Sequence, residues 1–237
     1  MSERTLAQVS GMVFDLDGTL VDTTYIHALC WWEALQQFGH IRTMASLHRA
    51  VGMGSDNFLR HTLGPERDTS SDEDLTKAHD VLFATWHERV QPLPGARQLL
   101  TWCRDAGLTV ALASSSGERD LWALLEVLDY PDFDVIITAK DVEDTKPSPD
   151  LFVEAMKRGG LTPQDVLVVG DAVWDIESAM RLGAPSVGLE CGGTSAAELR
   201  EAGAALTFRD PDGLLHALQD VGPQPLTGRP LAPIPET

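Results

Sequence analysis

Five short apolar runs, each leading into polar residues or a turn, most narrow what this chain can fold into. Gly11-Met12-Val13-Phe14 leads into Asp15, residues 108–113 into Ser114, and residues 165–169 into Gly170-Asp171. Residues 133–137 run toward Lys140, and residues 184–189 form the fifth run. The runs are rich in β-branched residues and apolar on both faces, as strands covered on both sides of a parallel sheet are. Helical patterns lie between them. Residues 94–106 end at Gly107, and residues 175–182 end at Gly183. Ser148-Pro149-Asp150 offers serine as an N-cap and proline at the first helical position, and that helix stops at Gly159-Gly160. The alternation predicts an α/β fold with a Rossmann-like parallel sheet flanked by helices. Chemistry in such sheets gathers at the carboxyl ends of the strands.

Between residues 23 and 90 the rhythm breaks. Residues 25–38 and 75–90 carry apolar positions at helical spacing, with no strand pattern between them. The stretch reads as an all-α insertion placed straight after the first strand, rejoining the main layer near Gln91-Pro92-Leu93-Pro94-Gly95. The expected division is a core of residues 1–22 and 91–221, an insertion of 23–90, and a proline-rich flexible end of 222–237. Trp31 and Trp32, mid-helix, read as part of the insertion's own core.

A formal net charge of −18 argues against a nucleic-acid backbone or an anionic membrane as partner. An anionic substrate must therefore be held by local donors and a cation. The three cysteines, Cys30, Cys103 and Cys191, form no CxxC pair, which points to a reducing compartment and small core residues. No run reads as a signal peptide or approaches a membrane span. The expectation is a cytoplasmic protein, monomeric or weakly dimeric.

The strongest chemical signal is Asp15-Leu16-Asp17-Gly18-Thr19. Two carboxylates sit two residues apart at a strand's end, and glycine then frees the chain to turn, so their directions diverge. One carboxylate can attack phosphorus while the other delivers a proton, giving an aspartyl-phosphate that splits the displacement into two easier steps. Ser114 and Ser115, with the turning amides of Ser114-Ser115-Ser116-Gly117, can bind phosphate oxygens. Lys146, one of only four lysines, precedes a helix and can neutralise a phosphoryl group. Asp171 and Asp175 add carboxylates to the same edge. Such a cluster repels itself unless a hard cation sits within it, and magnesium suits oxygen ligands.

This ordered set of Asp15/Asp17, Ser114, Lys146 and Asp171/Asp175 resembles the haloacid dehalogenase-like (HAD) hydrolase superfamily over about residues 12–188. The resemblance is to its phosphoglycolate phosphatase and β-phosphoglucomutase branch. It implies a catalytic core with a helical cap, Mg2+ as cofactor and a small phosphorylated metabolite as substrate. By resemblance Asp15 is the nucleophile and a metal ligand. Asp17 is the general acid/base and gives the metal its carbonyl. Ser114 and Lys146 hold the phosphoryl group, Asp171 ligates the metal, and Asp175 supports it directly or through water. His27 matches a cap histidine of the mutases that couples substrate binding to proton transfer. The mutase arginine that grips a second phosphate has no counterpart in Val51-Gly52-Met53-Gly54-Ser55, which favours a phosphatase over a mutase. That loop, with Gly52 and Ser55, reads as reaching the active site from the cap. A non-catalytic binding protein on the same core is the reading from a different class.

Overall fold

The computed structural model describes residues 9–220; the proline-rich stretch 222–237 lies outside the described residues. Six parallel strands form one sheet in the order β3-β2-β1-β4-β5-β6. They are β1 (Gly11–Phe14), β2 (Thr109–Ala113), β3 (Val135–Ile137), β4 (Val166–Gly170), β5 (Ser186–Leu189) and β6 (Leu206–Phe208). The first five fall within the apolar runs of the sequence. The sixth has three half-buried residues at the sheet's edge, too short and too open to give a pattern.

Alternation along β1 divides the core in two. Met12 and Phe14 face one side, where they join Leu99 and Leu100 of α5 (Ala96–Asp105), Leu121 and Leu124 of α6 (Glu118–Val127), and Leu214 of α10 (Pro211–Asp220). Val13 faces the other side, against Leu151, Phe152 and Ala155 of α7 (Asp150–Gly159) and Ala179 of α8 (Val173–Leu182). A further helix, α9 (Ala196–Ala202), packs on α8 through Leu199 and Ile176. Each fully buried leucine or phenylalanine contributes about 1.5–3 kcal/mol relative to exposure. Substituting Phe14 by alanine would cost about 3–5 kcal/mol. Helix α7 begins at Asp150 with Pro149 in the capping position, one residue later than the sequence implies. The Ser148 hydroxyl is spent on the Asp150 carboxylate, 2.9 Å away, and leaves the backbone amides uncapped.

Four helices lie between β1 and α5: α1 (Thr24–Gln37), α2 (Met44–Ala50), α3 (Ser55–Leu63) and α4 (Asp72–Ala84). Helix α4 starts three residues before the expected 75–90 segment and stops at Ala84, because Asp72, Glu73 and Asp74 favour its positive N-terminal end. A separate 3-10 turn, His87–Arg89, follows. The insertion has its own core, built from Trp31, Leu35, Leu47, Phe58 and Leu75 among others. Trp31 is buried there, whereas Trp32 points half out to solvent on the next face of α1. The chain's two crossings into the insertion run side by side. Val21 bridges Pro92 antiparallel, Asp22 N–H donates to the Gln91 carbonyl at 3.0 Å, and Leu93 N–H donates to the Leu20 carbonyl at 2.9 Å.

Candidate active site

The sheet's connectivity brings the sequence motifs together. Phe14 pairs with Leu112 of β2 on one side and Val169 of β4 on the other, so Asp15 emerges between the ends of both strands. This is where successive crossovers leave β1 in opposite directions, the crevice in which such sheets bind ligands. Asp15 N–H still bonds the Val169 carbonyl at 2.9 Å, which fixes its backbone to the sheet. Gly18 then turns the chain at φ +82, and a Cβ there would collide with the Thr24 hydroxyl and the Asp171 carboxylate. Only glycine suits that turn.

The two aspartates of the first motif face different partners. Asp15 ion-pairs with the fully buried Lys146, whose Nζ also lies 2.8 Å from Asp175 Oδ1. Asp175 Oδ2 accepts the Ala172 N–H at 3.1 Å. Asp171 accepts from the Thr19 hydroxyl at 3.0 Å and the Thr24 hydroxyl at 3.4 Å. Carboxylate oxygens of Asp15, Asp171 and Asp175 all lie within 4.8 Å of one another, and all three residues are buried. Burial pushes the Asp15 carboxyl up to about 7 despite Lys146, with Asp175 and Asp17 adding to the rise. Burial together with Asp175 and Asp15 holds Asp171 well above the ordinary carboxylate range. Fully ionised, three carboxylates around one ammonium would leave two negative charges uncompensated, which is why two of the carboxyls are raised. That deficit, in an all-oxygen setting, fits a divalent hard cation such as magnesium.

Asp17 points instead into the space beneath the insertion. Its Oδ1 accepts from the Thr23 hydroxyl at 2.7 Å and lies 3.0 Å from His27 Nε2, while its Oδ2 accepts from the Ser116 hydroxyl. Burial disfavours its charge, but His27, Ser116 and Thr23 outweigh that and bring the carboxyl down to about 2. The chain of contacts continues. His27 Nδ1 lies 3.1 Å from His79 Nε2, and His79 Nδ1 lies 2.9 Å from Asp80 Oδ1. Burial holds the His79 imidazole down to about 4, against the pull of Asp80. A neutral His79 that gives its Nδ1–H to Asp80 must accept at Nε2. His27 Nδ1 is then the donor between the two rings.

Of the serines singled out in the sequence, Ser114 is fully buried, and its hydroxyl accepts the Ser116 N–H at 3.0 Å within its own turn. Ser115 lines the cleft, with a buried hydroxyl that has no partner. His27, Gly52 and Ser55 also line this cleft, together with Asp15, Asp17 and Trp31, around a space of about 570 Å3. Gly52, at φ +99, sits where a Cβ would come within 2.9 Å of the Ala172 Cβ. The loop between α2 and α3 therefore meets the core edge directly. Other contacts hold it there. Trp174 Nε1 donates to the Arg49 carbonyl at 2.9 Å, and Asn57 Nδ2 donates to the Thr145 carbonyl at 3.0 Å. Thr145 Oγ1 donates to Asp56 at 3.0 Å, and His48 Nε2 lies 2.8 Å from the Gly192 carbonyl. A second space of about 720 Å3 opens on the Asp171 side, next to Trp174 and Thr24.

Sequence reasoning passed over Thr19, Thr23, Thr24, Ser116, His79 and Asp80. His79 did leave a trace: it interrupts an otherwise apolar stripe of Leu75 and Phe83 at four-residue spacing, all three buried. The cysteines match expectation in part, with Cys30 and Cys103 buried and Cys191 half-buried. Among the described residues no helix is long and apolar enough to cross a membrane.

Comparison with known proteins agrees with this geometry. The sequence model of the haloacid dehalogenase-like hydrolases matches residues 12–189. A phosphoglycolate phosphatase of Pseudomonas putida is 30% identical over 93% of this chain and 82% of its own length. Hexitol phosphatase A of Escherichia coli is 30% identical over 73% of this chain and 79% of its own length. The crystal structure of a hydrolase from Pseudomonas syringae superposes with a TM-score of 0.85 at 34% identity, covering 90% of this chain and 99% of that one. With the motif residues gathered at the strand ends and the family's sequence model spanning both core and insertion, the chain belongs to the haloacid dehalogenase-like hydrolases.

Proposed function

We infer that the chain is a magnesium-dependent phosphatase that hydrolyses a small phosphomonoester through a phosphorylated Asp15. One observation carries the reading: a buried carboxylate held against a buried lysine, beside two further carboxylates, with a separately held carboxylate facing the same cleft. Relatives named phosphoglycolate phosphatase and hexitol phosphatase support phosphomonoester hydrolysis and differ over the leaving group.

In this mechanism Lys146 fixes the Asp15 carboxylate, whose oxygen attacks phosphorus in line as the bond to the leaving oxygen breaks. Asp17 gives that oxygen a proton and, left as a carboxylate, takes one from the water that hydrolyses phospho-Asp15. Ser115, with its unpartnered hydroxyl, is the better candidate to hold a phosphoryl oxygen, since Ser114 is engaged in its own turn. Asp15, Asp171 and the Asp17 carbonyl are the residues to hold magnesium. Asp175, occupied by Lys146 and the Ala172 N–H, braces them from behind. Magnesium, when bound, supplies the positive charge this set lacks and draws carboxylate and phosphoryl oxygens together. The inserted helices serve as the cap.

A phosphosugar mutase would need a grip for a second phosphate, and no lysine or arginine lines the cleft among the described residues. A retired, non-catalytic site would be expected to have lost part of the set, and every member stands. The test is phosphate release from a panel of monoesters with and without magnesium, paired with thermal melting. Magnesium should be required for release and should raise Tm without substrate. Release that survives chelation, or no release from any ester by folded protein, overturns the reading.

A further inference from the structure

The cleft walls carry a charge pattern that bears on the leaving group. Besides Asp15 and Asp17, two more carboxylates line it: Asp80 on α4 and Asp120 on α6. Asp120 is mostly buried, with Oδ1 2.9 Å from His87 Nε2, and Asp80 is half-exposed. Burial and the nearby Asp80 push the Asp120 carboxyl up, so negative charge is already crowded here. No lysine or arginine lines the cleft among the described residues. Of the insertion's cations, Arg67 pairs with Asp72 and Lys77 with Glu73, while Arg49 pairs with Glu198 and lines the second space, on the Asp171 side, rather than this cleft. The two cleft histidines are spent as well, since the His27 and His79 ring nitrogens meet Asp17, one another and Asp80. Lys146 lies beneath, committed to Asp15 and Asp175.

What the walls do offer suits hydroxyls. Asp80 has one oxygen on His79, which leaves the other to accept from an alcohol. Ser55 lines the same space, and the Ser115 hydroxyl is buried without a partner. Resting on the phosphatase reading above, we propose that the ester this cleft selects has a hydroxyl-bearing leaving group with no negative charge, and that Asp80 and Asp120 refuse leaving groups bearing a carboxylate or a second phosphate. Selection of this kind works by an element set against the wrong partner as much as by contacts to the right one.

The experiment uses pairs of esters that differ only in that charge: hydroxyethyl phosphate against phosphoglycolate, glycerol phosphate against phosphoglycerate, and fructose monophosphate against fructose bisphosphate. Like-charge juxtaposition should place the uncharged member ahead by at least about tenfold in kcat/KM in each pair. Introducing a cation by Ser55→Lys, or by Met53→Lys should the first fold poorly, should narrow the ratio by about tenfold. Magnesium-dependent release from para-nitrophenyl phosphate is the control for the underlying reading. If that ester is cleaved and the anionic members win, or if both lysine variants fold and leave the ratio unmoved, the charge proposal falls alone. If no ester is cleaved at all, the phosphatase reading falls first and takes this proposal with it.

Discussion

The two walls of the cleft hold their functional groups by different means. On the core side, Asp15 is one residue beyond a strand whose neighbours are hydrogen-bonded on both sides, and Lys146 and Asp175 are fully buried around it. On the cap side, His27, His79 and Asp80 are placed by helices that pack on one another and meet the core through Cys30, Phe83 and Val90, a few hydrogen bonds and the paired crossings. Core groups are thus fixed by backbone, and cap groups by how the insertion is seated. Chemistry at phosphorus should depend on the first wall, and selection of the leaving group with proton timing on the second.

The sharpest way to break this division is to remove the nucleophile alone. Asp15→Asn should lower kcat by at least about a thousandfold with the fold intact, read from phosphate release in protein shown free of deamidation. Near-normal turnover would move the chemistry elsewhere. Next comes Lys146→Met, which leaves buried carboxylates without their partner. It should cost about 3–5 kcal/mol of stability in chemical denaturation. Magnesium should recover part of the loss, and equal stability with and without lysine would contradict the charge balance described for the site.

The cap wall should show in acid. The His79 imidazole sits at about 4 against an ordinary 6.5, so between these values the unfolded chain binds a proton that the folded chain does not. The His79 contribution to stability is full above pH 6.5 and is lost as pH drops toward 4. The loss approaches about 3 kcal/mol for a shift of this size. Denaturation midpoints should fall more with acid across that range for the native sequence than for His79→Gln, because Asp15 and Asp171, raised in the folded chain, add a slope of the opposite sign to both proteins. The same variant should lower kcat by about tenfold with little change in KM, less than loss of the acid/base itself. A change in KM alone would assign His79 to substrate contact. The smallest effect belongs to the seam. Trp174→Phe removes one hydrogen bond to the cap, worth about 1 kcal/mol, and should raise KM a few-fold while sparing kcat.

The same division explains what could be read from sequence. The core strands are short, apolar on both faces and end in their functional residues, so pattern and chemistry sit together along the chain. Strand β6 escaped because it has three half-buried residues, and α6 and α9 because nothing in the motifs pointed at them. The cap site joins residues 27, 79 and 80, brought together by the packing of α1 on α4, to residues 52 and 55 from the turn between α2 and α3, a proximity that spacing does not give. His27 was found because it matches the cap histidine of the mutases at the same spacing from the first motif. His79, fifty-two residues further on, could be found only by asking why a histidine stands in an apolar stripe.

The laced crossings at Val21–Pro92 have a consequence for timing. Two chain segments bonded to each other act as one hinge, so any opening of the insertion would be a swing about them rather than a slide. Asp17 lies just before that hinge, while Thr23 and His27, which hold its carboxylate, lie just past it. An opening of the insertion would part Asp17 from Thr23 and His27 and leave it on Ser116, while Asp15 keeps Lys146. On the mechanism proposed above the protein would work as an interlock: the nucleophile stays loaded, but the proton circuit closes only when the chamber does, and a phosphate that wanders in with the door ajar meets half a catalyst.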